Sequence, residues 1–219
     1  MATISKRIAL ARRKTWNILL DLRYGAVLRG AVEARYPDRG AYGMHSTPYD
    51  ALASMFPPGT VADTDVLVDV GCGKGRVINW WLWCGHRNRI IGVELDPDLA
   101  DRTRHRLRRH GNVSIICGDA VENLPSDGTL YYLYNPFEAS TVRAFRDRLA
   151  ATADHPGAVT IYYYHPLHLA VFEEDPRWEV IDRRPVLPKF WPEMEVAVIR
   201  ASRSLVAAAG ANDVTSRIR

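Results

Sequence analysis

The sequence predicts an α/β fold in which a mostly parallel sheet is covered by helices on both faces. From residue 60 onward, short apolar runs such as Val66–Val70 and Val113–Cys117 alternate with longer helical segments. Apolar strands separated by helices are typical of parallel sheets that are buried on both sides. The chain has 219 residues, and 47% of them are hydrophobic, so one domain with a sizeable core is expected.

The chain divides into a helical extension at residues 1–59, the α/β domain at residues 60–202 and a tail of mostly small and polar residues at residues 203–219. Pro97 stands where the first turn of a helix tolerates proline, and Asp96 before it is the predicted N-cap. Helices of the domain are predicted at Gly75–Cys84, Pro97–His110 and Ala139–Ala151. Strands are predicted at Val66–Val70, Ile90–Val93, Val113–Cys117, Leu130–Tyr134, Val159–Tyr163, Trp178–Arg183 and Glu195–Arg200.

The N-terminal extension is the basic part of the chain. Residues 1–40 contain nine Lys and Arg against three Asp and Glu, whereas the whole chain has a net charge of +4. Residues 4–29 repeat apolar side chains at helical spacing, which predicts a basic amphipathic helix, and a second short helix is predicted at residues 48–56. The long helix has four interpretations: it packs on the domain with a solvated basic face, covers a binding site, holds an acidic acceptor or polymer, or lies on an anionic membrane surface.

The cysteine content and the hydropathy of the chain indicate the cellular compartment in which the protein is expected. Cys72, Cys84 and Cys117 show no spacing typical of a zinc site or a disulfide framework, so no metal is expected. No apolar run reaches the roughly 18 residues that a membrane-spanning helix needs, and the N-terminus lacks the pattern of a secretory signal. We therefore expect a cytoplasmic protein, with peripheral membrane contact left open.

The first strand ends in a glycine-rich loop, Asp69–Gly75, with glycines at positions 71, 73 and 75. In open sheets of this type, ligands bind beyond the carboxyl ends of the strands. Glycine permits a tight turn and a close approach of ligand to backbone. The spacing differs from the Gly-x-Gly-x-x-Gly of dinucleotide sites, and the acid before the glycines suits a cationic amino group. The alternative is a plain glycine turn between strand and helix.

The next three strands also end in residues suited to hydrogen bonding. Glu94 follows the second strand, where an acid typically accepts hydrogen bonds from ribose hydroxyls. Asp119 follows the third strand, where it is placed to accept from the exocyclic amine of adenine, and Ala120 offers a backbone amide. Asn135 follows the fourth strand, at the expected mouth of the pocket. Each is also compatible with an ordinary turn, but their chain order at successive strand ends predicts one ligand site.

These segments together resemble the class I S-adenosylmethionine-dependent methyltransferase family. The resemblance covers roughly residues 60–200, and Asp69–Gly75 matches the family's first motif, D/E-x-G-x-G-x-G, in full. It implies a Rossmann-like sheet of strand order 3-2-1-4-5-7-6 with the last strand antiparallel, and S-adenosyl-L-methionine as the cofactor. The predicted cofactor contacts are Thr47, Asp69, Gly71, Cys72, Gly73, Glu94, Leu95, Asp119, Ala120 and Asn135.

The same resemblance implies roles for the strand-end residues. Asp69, Gly71 and Gly73 are expected to face the methionine portion of the cofactor. Glu94 is expected to bind the ribose and Asp119 the adenine side.

Signals for the methyl acceptor are weaker. Asn135-Pro136-Phe137 is similar to the D/N-P-P-Y/F motif of methyltransferases that act on amino groups of adenine, cytosine or protein glutamine. It has one proline where that motif has two, so methylation of nitrogen stays open. His165 ends the fifth strand, beside the expected acceptor pocket, and is the best-placed histidine for a general base.

A segment before the first strand, His45–Tyr49, resembles the part that covers the cofactor in histone-methylating lysine methyltransferases. It places Thr47 and Tyr49 over the methionine end. The alternative is that Thr47 caps the helix that Pro48 begins. The predicted catalytic residues are Asn135, His165 and Tyr49.

The sequence therefore predicts methyl transfer to a nucleophilic nitrogen or oxygen of a small-molecule or biosynthetic-intermediate acceptor. The alternatives are an N-methyltransferase of protein or nucleic acid, and a module that binds the cofactor without catalysis. Sequence-specific DNA methylation is not expected, because no segment outside the core reads as a target-recognition domain. The sequence does not predict the identity of the acceptor or the oligomeric state.

Overall fold

The structure is a computed structural model that describes residues 2–28, 46–152 and 159–201. His45, the end of the predicted long helix and the predicted tail lie outside these residues. The described elements, in chain order, are α1 (Ala2–Arg23), α2 (Tyr49–Met55), β1 (Leu67–Val70), α3 (Arg76–Trp83), β2 (Ile90–Glu94), α4 (Pro97–Leu107), β3 (Val113–Cys117), β4 (Leu130–Tyr134), α5 (Ala139–Thr152), β5 (Thr160–Tyr164), α6 (Ala170–Glu173), β6 (Trp178–Pro185) and β7 (Glu195–Ala201).

One seven-stranded sheet has the order β3-β2-β1-β4-β5-β7-β6. The strands from β1 to β5 pair in parallel, whereas β7 is antiparallel to both of its neighbours, β5 and β6. The predicted strand order and the antiparallel last strand are confirmed. Because the chain returns from β3 to the far side of β1, the strand order reverses between β1 and β4. Open sheets bind ligands at the carboxyl ends of the strands that flank such a reversal.

Helices cover both faces of the sheet, as predicted. The α2, α3 and α4 layer packs on one face through side chains such as Leu52, Trp81 and Leu107. The α5 and α6 layer packs on the other through Phe145 and Phe172. Successive side chains of a strand point to opposite faces, and the strand tyrosines divide accordingly. Tyr132, Tyr162 and Tyr164 belong to the first layer, and Tyr131 and Tyr163 belong to the second.

The first helix ends at Arg23 rather than at residue 29. Gly25 has a φ of +90°, a conformation that commonly ends helices, and the amides of Tyr24 and Ala26 turn back to the carbonyl of Asp21. Asn17, Leu20 and Asp21 are buried. One side of the helix therefore packs on the domain, and the interpretations of its solvent-facing side stay predictions. The division of the chain at residues 59 and 202 stays a prediction.

Gly92, in the middle of β2, leaves the space that the glycine loop needs to pack against the sheet. A Cβ at this position would lie 2.7 Å from Cys72 Sγ and 2.8 Å from Ile115 Cδ1. We therefore expect Gly92→Ala to lower the free energy of unfolding by about 1–3 kcal/mol, measured by urea denaturation. Gly111→Ala is the matched control, because a Cβ there meets nothing within 4 Å. Equal losses in the two variants would contradict this account.

Candidate functional site

A cavity opens at the carboxyl ends of β1, β2, β3 and β4, beside the reversal of strand order. It brings together residues that are far apart in the sequence, because parallel strands end at the same edge of the sheet. The predicted cofactor contacts that line it are Thr47, Asp69, Gly71, Cys72, Glu94, Leu95, Asp119 and Ala120. Gly73 and Asn135 were also predicted, but among the described residues they are not part of the lining.

The glycine loop forms the floor of the cavity. The φ values of Gly71, Gly73 and Gly75 are +69°, +51° and +72°. Residues other than glycine rarely adopt such backbone conformations. The amides of Gly71 and Cys72 both donate to the carbonyl of Val93, at 2.9 Å. These bonds fix the loop to the end of the neighbouring strand. The sequence therefore needs glycine here for conformation as well as for access to the backbone.

Asp69, the last residue but one of β1, lies at the wall of the cavity. Its side chain is 2% exposed, and its Oδ2 atom has no hydrogen-bond partner. Burial and the nearby Glu94 carboxylate raise the pKa of Asp69 well above its usual range. A buried carboxylate oxygen without a donor costs stability. A cationic donor that enters the cavity would remove this cost.

The Glu94 carboxylate is positioned by two backbone amides. Gly73 N donates to Oε2 at 2.7 Å, and Asp96 N donates to Oε1 at 2.9 Å. Burial raises the pKa of Glu94 despite these bonds, which act in the opposite direction. Each oxygen keeps a further lone pair for a ligand donor.

Asp96 accepts from the amides of Asp98 and Leu99, so its predicted role as the N-cap of α4 is confirmed.

Asp119 combines a turn role with a place on the cavity wall. Its Oδ1 accepts from the amide of Val121 at 2.7 Å, as expected of an aspartate that orders its own turn. Asp119 and Ala120 nevertheless both line the cavity. The two interpretations of this segment are therefore compatible.

An aromatic wall closes the end of the cavity at β4. Tyr132, Tyr134 and Phe137 line it, together with Pro136. Burial raises the pKa values of both tyrosines, so their hydroxyls stay protonated at neutral pH and are able to donate. Because successive side chains of a strand point to opposite faces, Tyr132 and Tyr134 reach the cavity whereas Tyr131 packs in the other layer.

Thr47 joins this wall through a hydrogen bond between its hydroxyl and that of Tyr132, at 2.7 Å. The alternative that Thr47 caps the second helix is wrong. Helix α2 has Pro48 at its N-cap and no side-chain cap, because the hydroxyl of Thr47 is directed to β4.

Asn135 and His165 follow β4 and β5 with φ values of +35° and +52°. Residues other than glycine adopt such values rarely, and often near functional sites. The Asn135 side chain accepts a hydrogen bond from the Tyr163 hydroxyl at 2.9 Å. Tyr163 belongs to the layer on the far side of the sheet. The carboxamide of Asn135 therefore points to that side instead of into the cavity. His165 is likewise absent from the described lining.

Tyr49 lies in the core rather than over the cavity. Its side chain is fully buried, and its hydroxyl donates to Asp21 at 2.9 Å while it accepts from Asn79 at 3.1 Å. The structure therefore does not bring Tyr49 to the place that the sequence resemblance implied. Helix α2 directs this ring inward, against Trp80.

Some lining residues were not predicted from the sequence. Arg76 reaches the cavity wall and is also paired with Asp21 of α1, at 2.6 Å. Only the position of Arg76 directly after the glycine loop could have indicated it. Val77 and Thr141 also line the cavity, and nothing in the sequence indicated them.

Comparisons with known proteins agree with this geometry. A methyltransferase domain family matches residues 67–152. The probable cobalt-precorrin-6B C(15)-methyltransferase (decarboxylating) of Methanothermobacter thermautotrophicus is 40% identical over 63 residues, which are 27% of this chain and 32% of that protein. The chain thus spans about a third of the curated relative that it matches.

Solved structures share the fold. An RNA methyltransferase from Salinibacter ruber, in complex with S-adenosyl-L-homocysteine, is 25% identical, with a TM-score of 0.53 over 70% of this chain and 92% of that chain. The mitomycin 7-O-methyltransferase MmcR has a TM-score of 0.57 at 16% identity, over 70% of this chain and 53% of that chain. At the lower identity the likeness concerns the fold alone.

Proposed function

Since the chain belongs to the class I S-adenosylmethionine-dependent methyltransferases, we propose that it transfers a methyl group to a nucleophilic nitrogen or oxygen of a small-molecule acceptor. The cofactor is S-adenosylmethionine, which supplies an electrophilic methyl group on a sulfonium. The observation that supports the proposal most is the unpartnered Oδ2 of Asp69. Asp69 lines a cavity at which the next two strand ends also present acids, Glu94 and Asp119.

The cofactor contacts that we propose follow the order of the strands. Asp69 at the end of β1 binds the amino group of the methionine portion, and Gly71, Cys72 and Gly73 surround that portion with backbone. This role fits the buried oxygen that lacks a donor, because an ammonium group supplies both the hydrogen bond and the opposite charge. Thr47, bound to Tyr132 of β4, closes the same end.

The nucleoside portion extends along the sheet edge in the other direction. Glu94 at the end of β2 accepts from the ribose hydroxyls with the lone pairs that Gly73 and Asp96 leave free. Leu95, Asp119 and Ala120 receive the adenine at the end of β3. Adjacent strands lie roughly 4.8 Å apart, so the ends of β3, β2, β1 and β4 present contacts along roughly 14 Å.

The acceptor is proposed to bind at the end of β4. Tyr134, Pro136 and Phe137 form an apolar, aromatic wall there, and Tyr134 keeps its proton because burial raises the pKa of its hydroxyl. A flat acceptor stacks on such a wall. The protein's contribution is mainly alignment of nucleophile and methyl carbon, an effect that supplies several kcal/mol of barrier reduction.

Asn135 and His165 have different proposed roles. Asn135 is a positioning residue, because its carboxamide ties the acceptor loop to Tyr163 at 2.9 Å. His165 stays a predicted general base for an acceptor hydroxyl, and it lies outside the described lining of the cavity.

The aromatic wall of Tyr134, Pro136 and Phe137 fits a flat, small acceptor. A purified-protein screen with radiolabelled S-adenosylmethionine tests this, with pools of small aromatic amines and phenols, RNA, and protein as separate acceptors. Label in the small-molecule pool supports the proposal. Label confined to RNA or protein would replace it by the alternative N-methyltransferase. Binding of S-adenosylhomocysteine without transfer to any pool would favour a module without catalysis.

Phe137→Ala is expected to lower transfer to the identified acceptor by about 10- to 100-fold, because the stacking wall no longer fixes the acceptor. Its affinity for S-adenosylhomocysteine, measured by calorimetry, should change by less than about threefold. Phe137→Leu keeps the apolar volume without the flat ring and serves as the matched variant. An equal loss of cofactor affinity and transfer in Phe137→Ala would place this residue at the cofactor instead.

A further inference from the structure

The outward face of α1 exposes large apolar side chains to solvent. Ile8, Leu19 and Leu22 are 56%, 58% and 54% exposed, and Trp16 is 40% exposed. The opposite face is fixed to the domain by buried residues, with Asp21 paired to Arg76. The helix is therefore held in place while Ile8, Leu19 and Leu22 on its outer face remain exposed to solvent.

Positive charge surrounds these apolar side chains. Arg7, Arg12, Lys14 and Arg23 are exposed on the same helix. The single acid of α1 is Asp21, which is buried. The exposed charge of the described helix is thus entirely positive.

The apolar face continues into a basic groove. The Trp16 and Trp83 rings meet edge to face at 5.6 Å, and the guanidinium of Arg23 lies 5.3 Å from the centre of the Trp83 ring. Arg23 also lines the groove between the end of α1 and α4. The lining of this groove includes Arg23, Lys74, Arg102, Arg108 and Arg109, and its described part contains no acid.

We propose that α1 and the basic groove, together called the N-terminal face, bind the surface of an anionic phospholipid bilayer. The apolar side chains of α1 enter the interface between headgroups and acyl chains, and the exposed arginines of the groove, Arg102, Arg108 and Arg109, contact headgroup phosphates. Helices with tryptophan and leucine on one side and arginine or lysine around them bind membranes in this way. Among the described residues, no helix combines the length and the hydropathy of a membrane-spanning segment.

Two other occupants fit the observations less well. A nucleic acid would use the groove, but it gives no reason for Ile8, Leu19 and Leu22 to face solvent. A second copy of the chain would cover the apolar face, but a symmetric contact brings like charges of Arg12 and Arg23 towards each other, which is unfavourable.

Co-sedimentation with vesicles tests the proposal. The full chain is expected to bind vesicles of phosphatidylcholine mixed with phosphatidylglycerol at least about tenfold more tightly than phosphatidylcholine alone, and less tightly as salt increases. Replacement of both Leu19 and Leu22 by Glu should reduce binding by at least about tenfold. Leu167→Glu is the control, because Leu167 is 61% exposed and lies after β5 rather than on α1.

Arg102→Glu together with Arg109→Glu should also weaken binding to the anionic vesicles by about tenfold or more. Arg143→Glu, an exposed arginine on α5, is the charge control and should keep at least half of the binding.

Several outcomes would overturn the proposal. Equal affinity for neutral and anionic vesicles, or equal loss in the Leu167→Glu control, would remove the argument from charge and position. A concentration-dependent dimer in sedimentation velocity that Leu19→Glu abolishes would assign the face to self-association. RNA binding that persists in the double leucine variant, without vesicle binding by the unsubstituted chain, would assign the groove to nucleic acid.

Discussion

Replacement of Arg76 by methionine is expected to lower the free energy of unfolding by about 3–5 kcal/mol. Arg76 is 7% exposed and contacts the fully buried Asp21 through two nitrogens, Nη2 at 2.6 Å and Nε at 3.1 Å. Methionine fills a similar space but leaves the carboxylate buried without its counter-charge. Breaking a buried ion pair from one side is costly for this reason.

The loss is expected to begin at the N-terminal extension. Asp21 also accepts from the amide of Leu28 at 3.0 Å and from the hydroxyl of Tyr49 at 2.9 Å. It thus joins α1, the segment after it and α2 to α3. In Arg76→Met we expect faster hydrogen exchange and faster proteolysis in α1 before the sheet is affected.

Arg143→Met is the control for this prediction. Arg143 and Glu174 lie 3.5 Å apart and both are more than half exposed, so loss of this pair should change stability by less than about 1 kcal/mol. Urea denaturation of both variants measures the comparison. A loss in Arg76→Met as small as that in Arg143→Met would show that the buried pair contributes little to the anchoring of α1.

The strands of the sheet could be predicted because each is marked by residues that are adjacent in the sequence. Apolar runs define the strands, and β3 and β4 have the bounds that the sequence predicted, Val113–Cys117 and Leu130–Tyr134. The strand-end residues could be predicted for the same reason, since parallel strands bring their carboxyl ends to one edge. Thus Asp69 and Glu94 meet at one cavity although they are separated by a whole helix.

Polar pairing between distant segments could not be predicted in this way. The place of Tyr49 depends on Asp21, which comes from α1 and supplies the acceptor for its hydroxyl in the core. Asn135 turns to Tyr163, a residue that alternation alone assigns to the far face. Neither partner is marked by local spacing. The sequence therefore indicated the loops of the site better than the directions of their side chains.

Replacement of Asp69 by asparagine is expected to weaken S-adenosylhomocysteine binding by about 10- to 100-fold. A hydrogen bond between charged groups contributes about 1.5–3 kcal/mol, and each 1.4 kcal/mol is a factor of about ten in affinity. Asparagine keeps the size of the side chain but not its charge. Methylthioadenosine, which lacks the amino group, should bind both forms with similar affinity in calorimetry. An equal loss for the two ligands would contradict contact between Asp69 and the amino group.

The pH dependence of binding gives a second measurement. Burial and the Glu94 carboxylate raise the pKa of Asp69 well above its usual range, and the ammonium group of the ligand binds the ionised carboxylate. Affinity for S-adenosylhomocysteine should therefore fall as the pH falls through this raised pKa. The Asp69→Asn variant, which does not titrate at this position, should lose that part of the dependence.

The stability of the ligand-free protein should depend on pH in the opposite direction from the affinity for S-adenosylhomocysteine. A carboxyl whose pKa is higher in the folded chain than in the unfolded chain favours folding only at low pH, and this contribution is lost as the pH rises through the folded-state pKa. At neutral pH the buried Oδ2 without a donor therefore disfavours the folded state. Asp69→Asn should leave the midpoint of thermal unfolding unchanged or raise it, while the affinity falls. If Asp69 served only packing, its replacement would lower both the unfolding midpoint and the affinity. A fall in affinity without a fall in the midpoint would therefore identify Asp69 as a ligand-binding group.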